Sequence, residues 1–324
     1  MQPPARTTAR KLFTLLVKIP GVRFAVSFPG LVISLIRRKS LRTLLFSAPG
    51  EFYSPLPDVR YVEKHAAEIF DVNRPVAGID LRDGAQRALL GEFARFHDEF
   101  PFPKDPAPGF RYFHANRFFE VHDGIVLYSV LRRFRPRNIV EVGSGFSSAL
   151  MLDVNERFLD GSARLTVIDP HPKRMLRLLK PGDLSRQTLI RKPVQEVPLD
   201  VFASLGENDV LFIDSSHVVK VGSDVQHLMF QVLPALRPGV LIHFHDILWP
   251  FEYCAAYVRW GRAWNEAYVL RALLQGSRDY EILYFNDYMQ ARHAPELLAK
   301  MPRCLDRPGA GMWLRKVGPG SPAS

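Results

Sequence analysis

The sequence predicts an α/β fold, a mostly parallel, doubly wound sheet preceded by a helical cap and a basic N-terminal arm. Three observations carry this. Short β-rich runs recur at roughly 20–30 residue intervals with helical patterns between them, the rhythm of βαβ crossovers. The first run ends in a glycine-containing turn. Later runs end in acidic and histidine residues, where open parallel sheets bind their ligands.

The elements follow in order. Residues 51–60 (EFYSPLPDVR) read as a proline-containing loop. Residues 61–100 show helical spacing, with Leu89, Leu90, Phe93 and Phe96 on one face. A loop at 100–109 (FPFPKDPAPG) separates this from a second helical pattern over 119–134, which Pro136 ends. Strands are then expected at 138–143, 165–169, 187–191, 209–214 and 239–246, with two more at 281–285 and 311–316. A helix over 221–236 carries Val225, Leu228, Met229, Val232, Leu233 and Leu236 on one stripe. The chain therefore divides into a basic arm (1–50), a helical cap or substrate region (51–130) and a sheet domain (131–324).

Composition narrows the function. Of 324 residues, 47% are hydrophobic and 23% charged, ordinary for a globular protein. The two cysteines, Cys254 and Cys304, have no metal-ligand spacing and make no disulfide framework, so a reducing, cytoplasmic setting is expected. The net charge of +10 is concentrated in residues 1–50, which hold nine basic residues and no acidic one. The remainder is close to neutral, which argues against a nucleic-acid groove. Within the arm, the apolar stretch Phe24–Ile36 is broken by Pro29-Gly30 and is too short to span a bilayer, which takes about 20 residues. The favoured reading is an amphipathic arm lying on an anionic membrane surface, at the inner face of the membrane. A secretory signal, an organellar transit peptide and a poorly ordered basic tail stand beside it.

The first strand ends in Glu141, Gly143, Ser144, Gly145, Ser147 and Ser148. Glycines at a strand-to-helix turn let a cofactor approach the backbone and the free N–H groups of the helix. A dinucleotide fingerprint wants a third glycine, and position 148 is serine. Asp169, ending the second strand, is placed to accept both hydroxyls of a ribose, or to cap the helix that starts after His171-Pro172. The fourth strand ends in Asp214-Ser-Ser-His217 and the fifth in His243-Phe-His245-Asp246, so both clusters should meet the glycine turn over one cleft. His243 by itself reads as a satisfied core histidine.

At this point the chain resembles a known family. FYSPLPD (52–58), Asn116-Arg-Phe118-Phe119 with Asp123, IVEVGSGFSSAL (139–150), LFIDSSHVVKVGSDV (211–225), GVLIHFHDILWPFEY (239–253) and WNEAYVLRALL (264–274) occur in this order. Together they are similar to class I, Rossmann-like S-adenosylmethionine-dependent methyltransferases, a bacterial branch related to macrolide and rhamnosyl O-methyltransferases. The resemblance implies a seven-stranded sheet with a reversed last strand, and S-adenosylmethionine as cofactor. It implies that Glu141, Gly143 and Gly145, with Ser144, Ser147 and Ser148 of the same turn, line the methionine end. Asp169 would hold the ribose, Gln195 would lie near the adenine, and Asp214 would sit below the methyl group. Metal-dependent relatives hold Mg²⁺ at the positions of Asp214 and Asp246, but Ile247 stands where an asparagine completes that set. The expected reaction is O-methylation of a sugar or other polar small-molecule or glycan acceptor, with His217 or His245 as base and Asp246 orienting a histidine. A nicotinamide-dependent oxidoreductase, a metallo-hydrolase and a membrane-attached, non-catalytic scaffold are the competing readings.

Overall fold

The structure is a computed structural model that describes Ser47 and residues 50–318. The basic arm and its membrane reading lie outside the described residues. The chain divides into two units after Arg60; the sheet and the site belong to the second.

The seven strands are β1 (Asn138–Val142), β2 (Arg164–Ile168), β3 (Thr188–Ile190), β4 (Val210–Ile213), β5 (Leu241–Phe244), β6 (Tyr280–Phe285) and β7 (Met312–Lys316). They form one sheet in the order β3-β2-β1-β4-β5-β7-β6. β1 to β5 pair in parallel, while β7 is antiparallel to both its neighbours, so the last strand is the reversed one. The strand order turns back between β1 and β4, the switch point at which parallel sheets open a crevice. β1 and β4 are buried along nearly their whole length, as expected for apolar runs covered on both faces.

Register brings the site together. Val142 lies opposite both Ile168 and Ile213, and Ile213 lies opposite Phe244. The residues that follow these, Gly143, Asp169, Asp214 and His245, therefore emerge at one level of the sheet. The opposite end of the β1–β4 pair is pinned by Asp209. Its Oδ1 accepts from the backbone N–H groups of Arg137 (3.0 Å) and Asn138 (2.8 Å).

The helices are α1 (Asp83–His97), α2 (Val121–Phe134), α3 (Phe146–Phe158), α4 (Asp224–His227), α5 (Glu266–Leu274), α6 (Asn286–Arg292) and α7 (Ala294–Lys300), with shorter turns between. α4 continues through a π-helical turn, Leu228–Val232, and its expected apolar stripe is buried throughout. The 61–100 segment is helical in pieces: Pro75 and Gly78 (φ +75) interrupt it, and only α1 is long.

Residues 61–130 belong to the same unit as the sheet. α1 packs on β6 and α2, and α2 is buried from Val121 through Leu131 against α3. An amphipathic helix stabilises itself by burying its apolar face, and here that face finds the body of the sheet domain. The turn before α2 reaches the site, as does Asp123 at the start of α2, and two polar knots hold that turn. Buried Arg111 donates to Asp153 (2.7 Å), Asp183 (2.5 Å) and Glu156 (2.7 Å). Asn116 donates to the carbonyls of Phe113 and Phe119 and accepts from the N–H groups of Phe118 and Phe119. Phe119 is thereby held against His245, with ring centroids 5.2 Å apart, and Phe118 against Phe146 at 6.2 Å.

Candidate active site

Gly143 has φ +88, and a Cβ built on it would lie 1.8 Å from the carbonyl oxygen of Asp214. Glycine is therefore required both by conformation and by contact. The two loops are laced by backbone bonds: Asp214 N–H donates to Val142 (2.9 Å), and Gly143 N–H donates to Ile168 (3.0 Å).

Beneath the turn Glu141 is fully buried. Its two carboxyl oxygens accept from the hydroxyls of Ser147 (2.6 Å) and Ser148 (2.5 Å), and Ser148 in turn accepts from Gly145 N–H (3.1 Å). The side chains of Glu141, Ser147 and Ser148 are all buried beneath the turn. These side chains face inward and satisfy one another, so their work is to hold the start of α3. Burial, aided by the charges of Asp214 and Asp169 and only partly offset by the serine hydroxyls, pushes the Glu141 carboxyl up to about 8.

Gly143, Ser144 and Gly145 remain at the rim. Ser144 donates to Asp169 Oδ2 (2.5 Å), and Asp169 Oδ1 accepts from His171 N–H (2.6 Å). Asp169 thus caps the segment after β2 and keeps a second lone pair on each oxygen. Gln195, exposed after β3, donates to the carbonyl of Gly222 (2.8 Å).

At the ends of β4 and β5 lies a buried histidine ringed by acids. His217 Nδ1 is 2.9 Å from Glu266 Oε2, and Nε2 is 3.4 Å from Asp214 and 3.5 Å from Asp246. Only the imidazolium offers N–H groups on both nitrogens. Burial opposes the charge, but the bonds to Asp214 and Glu266 and the charges of Glu266 and Asp246 outweigh it and raise His217 to about 10. Asp214 resists its own burial through the positive fields of His245 and His217 and is held down to about 2. His217 (φ +60) and Asp246 (φ +56) both sit in the left-handed region, strain tolerated where the surroundings over-determine it. Three acidic side chains, Asp214, Asp246 and Glu266, thus surround the His217 ring.

His245 is buried beside Phe119 with Nδ1 unpartnered, and the charges of Asp214, Asp246 and Asp123 raise it against the burial that lowers it. His243 is a core residue, stacked on Phe212 at 4.1 Å and near Trp313, and burial drives it well below its usual value. Ile247 is fully buried and contributes no ligand. His217 stands beside the two acids: ligand atoms of Asp214, His217 and Asp246 all lie within 4.8 Å of one another. Two carboxylates and an imidazole suit a divalent cation.

Sequence reasoning misses three neighbours of this cluster: Glu266, Tyr257 and Trp264. The Tyr257 hydroxyl donates to Asp246 (3.2 Å), and the Trp264 ring lies 4.3 Å from that of His217. Their one signal is aromatic density in the stretch from Tyr253 to Tyr268.

Strand order and site together define a class I, Rossmann-like methyltransferase fold. Residues 140–247, from β1 to just past Asp246, match a family described as a methyltransferase domain. A protein of Archaeoglobus fulgidus, described as uncharacterized, is 36% identical over 166 residues, spanning 49% of this chain and 74% of that one. The chain belongs to this methyltransferase family. Among solved structures, the SAH-bound methyltransferase PaMTH1 of Podospora anserina is 14% identical, covering 80% of this chain and 96% of that one with a TM-score of 0.40. The O-methyltransferase TomG of Streptomyces achromogenes, in complex with SAM, is 14% identical over the same shares with a TM-score of 0.36.

The Glu141 carboxyl yields a stability prediction. A folded value near 8 against an ordinary 4.5 means that the folded protein holds a proton that the unfolded chain releases. That contribution is full below about pH 4.5 and is lost as pH rises through about 8. Glu141→Gln should stay within about 1 kcal/mol of the parent near pH 6 and lose this pH dependence, whereas Glu141→Ala should cost about 2–3 kcal/mol by stranding two buried hydroxyls. Urea unfolding at pH 6 and 8.5 measures both, and a glutamine variant as unstable as the alanine one contradicts the assignment.

Proposed function

We propose that this protein transfers a methyl group from S-adenosylmethionine to a hydroxyl oxygen of a sugar or other polar acceptor. The observation that carries this is the single level at which Gly143, Asp169, Asp214 and the His217 cluster emerge from neighbouring strands. The rim fits an adenosyl donor. Gly143 and Gly145 leave the backbone bare beside the N-terminus of α3, Ser144 and Asp169 offer polar groups to a ribose, and Gln195 lies farther along that edge.

S-adenosylmethionine would supply the methyl group as a sulfonium. The acceptor oxygen forms a bond to the methyl carbon as the carbon–sulfur bond breaks, and the hydroxyl proton must leave with the attack. Asp214 and Asp246, with His217 beside them, would hold Mg²⁺, which would supply positive charge at the strand ends. His217 is the first candidate to accept that proton, and His245, behind Phe119, is the second. Asp246, steadied by Tyr257, orients His217.

Titration of the purified protein with S-adenosylhomocysteine tests the donor site. Binding is expected, and Asp169→Ala should weaken it by roughly 1.5–3 kcal/mol through loss of a charge-assisted acceptor. With methyl-labelled donor and a panel of hydroxylated acceptors, His217→Ala should lose roughly 10²–10⁴ in rate while keeping homocysteine-product affinity. Parent-like turnover in both His217→Ala and His245→Ala would leave neither histidine as base.

For the arm, residues 1–50, we propose attachment to anionic lipid, each basic residue near such a surface being worth about 1 kcal/mol. Among the described residues no helix is long and apolar enough to cross a membrane. Sedimentation with phosphatidylserine vesicles should be salt-sensitive and lost on deleting residues 1–50; equal binding by the truncated chain contradicts it.

A further inference from the structure

Tyr257 and Trp264 each touch two things. On one side they meet the acid–histidine cluster, Tyr257 through its 3.2 Å bond to Asp246 and Trp264 through its ring beside His217. On the other side both meet Arg262. Its guanidinium carbon lies 4.5 Å from the Tyr257 ring centroid, 4.6 Å from that of Trp264 and 5.3 Å from that of Trp260. One aromatic ring therefore separates this cation from each of the two catalytic side chains.

We infer that the acceptor bears an anionic group, a carboxylate or a phosphate, which Arg262 binds while the hydroxyl to be methylated lies at the Asp246–His217 pair. This rests on the methyltransferase reading above and narrows its substrate class.

Three features support it. Arg262 is exposed, and among the described residues it forms no ion pair. The rings fix the guanidinium by cation–π contact without neutralising it, leaving its edge N–H groups for a bidentate oxyanion. Finally, the acidic side chains of Asp214, Asp246 and Glu266 crowd around His217, so an anionic group on the acceptor is better met away from them, at Arg262. Arg262 is the cation whose position suits this. A purely structural role, gluing the turn between Tyr257 and Trp264, predicts instead that Arg262 affects stability and leaves ligand charge indifferent.

The test compares matched probes on the full-length protein saturated with S-adenosylhomocysteine: glucose, glucuronate and glucose 6-phosphate. Binding is read by calorimetry and by tryptophan fluorescence, since Trp260 and Trp264 flank the guanidinium. At least one charged probe should bind about tenfold or more tighter than glucose, the effect of one charge-assisted pair, and whichever it is identifies the anion. Arg262→Gln should erase the difference and Arg262→Lys should keep part of it. Equal binding of charged and neutral probes, binding of none, or unchanged discrimination in Arg262→Gln overturns the inference. Affinity for S-adenosylhomocysteine on the same samples separates two failures. If it is kept while charge discrimination is missing, only this inference falls; if it is absent from the parent, the methyltransferase reading falls with it.

Discussion

The site depends on one close contact, the carbonyl of Asp214 lying where a side chain of residue 143 would begin. Without a Cβ at Gly143, the turn after β1 and the loop after β4 share the same space. The bonds from Asp214 N–H to Val142 and from Gly143 N–H to Ile168 then fix three strand ends as one rigid floor. Glu141, Ser147 and Ser148 hold that floor from below, and the Asp214–His217 loop rises from its other edge. A donor lying on the turn and an acceptor lying on the loop would have their reacting atoms placed by the same backbone contact, which is how positioning reduces a barrier.

Charge is the second constraint. His217 is buried, yet its proton is stabilised because carboxylates face both nitrogens. Removing water makes each of these interactions stronger and each imbalance costlier. The acids gathered around His217 bring ligand atoms of Asp214, His217 and Asp246 within reach of one another, and the proposed anion contact at Arg262 lies across the aromatic rings from them. Tyr257 and Trp264 link the two halves of this arrangement.

Much of the fold was legible because β-rich runs at crossover spacing admit few alternatives. The glycine turn, Asp169 and the acidic strand ends were legible for the same reason, since a strand end in a parallel sheet announces its own location. What spacing leaves open is direction. Ser147 and Ser148 stand in the right turn but on the inward side of α3, a distinction made by the helix's rotation against β1. Glu266 was hidden because it lies 49 residues from His217 and reads locally as an ordinary acid at a helix start. Spacing likewise does not show that α2's apolar face is buried against α3, or that the turn knotted by Asn116 brings Phe119 to His245.

The most direct test of the shared floor is hydrogen exchange of the full-length protein with and without S-adenosylhomocysteine. The account predicts slowed exchange at residues 143–149 and, in the same titration, at 214–217, because the two loops are held together at Gly143 and Asp214. Binding that protects neither segment, or protects the glycine turn and leaves 214–217 unchanged, would contradict it.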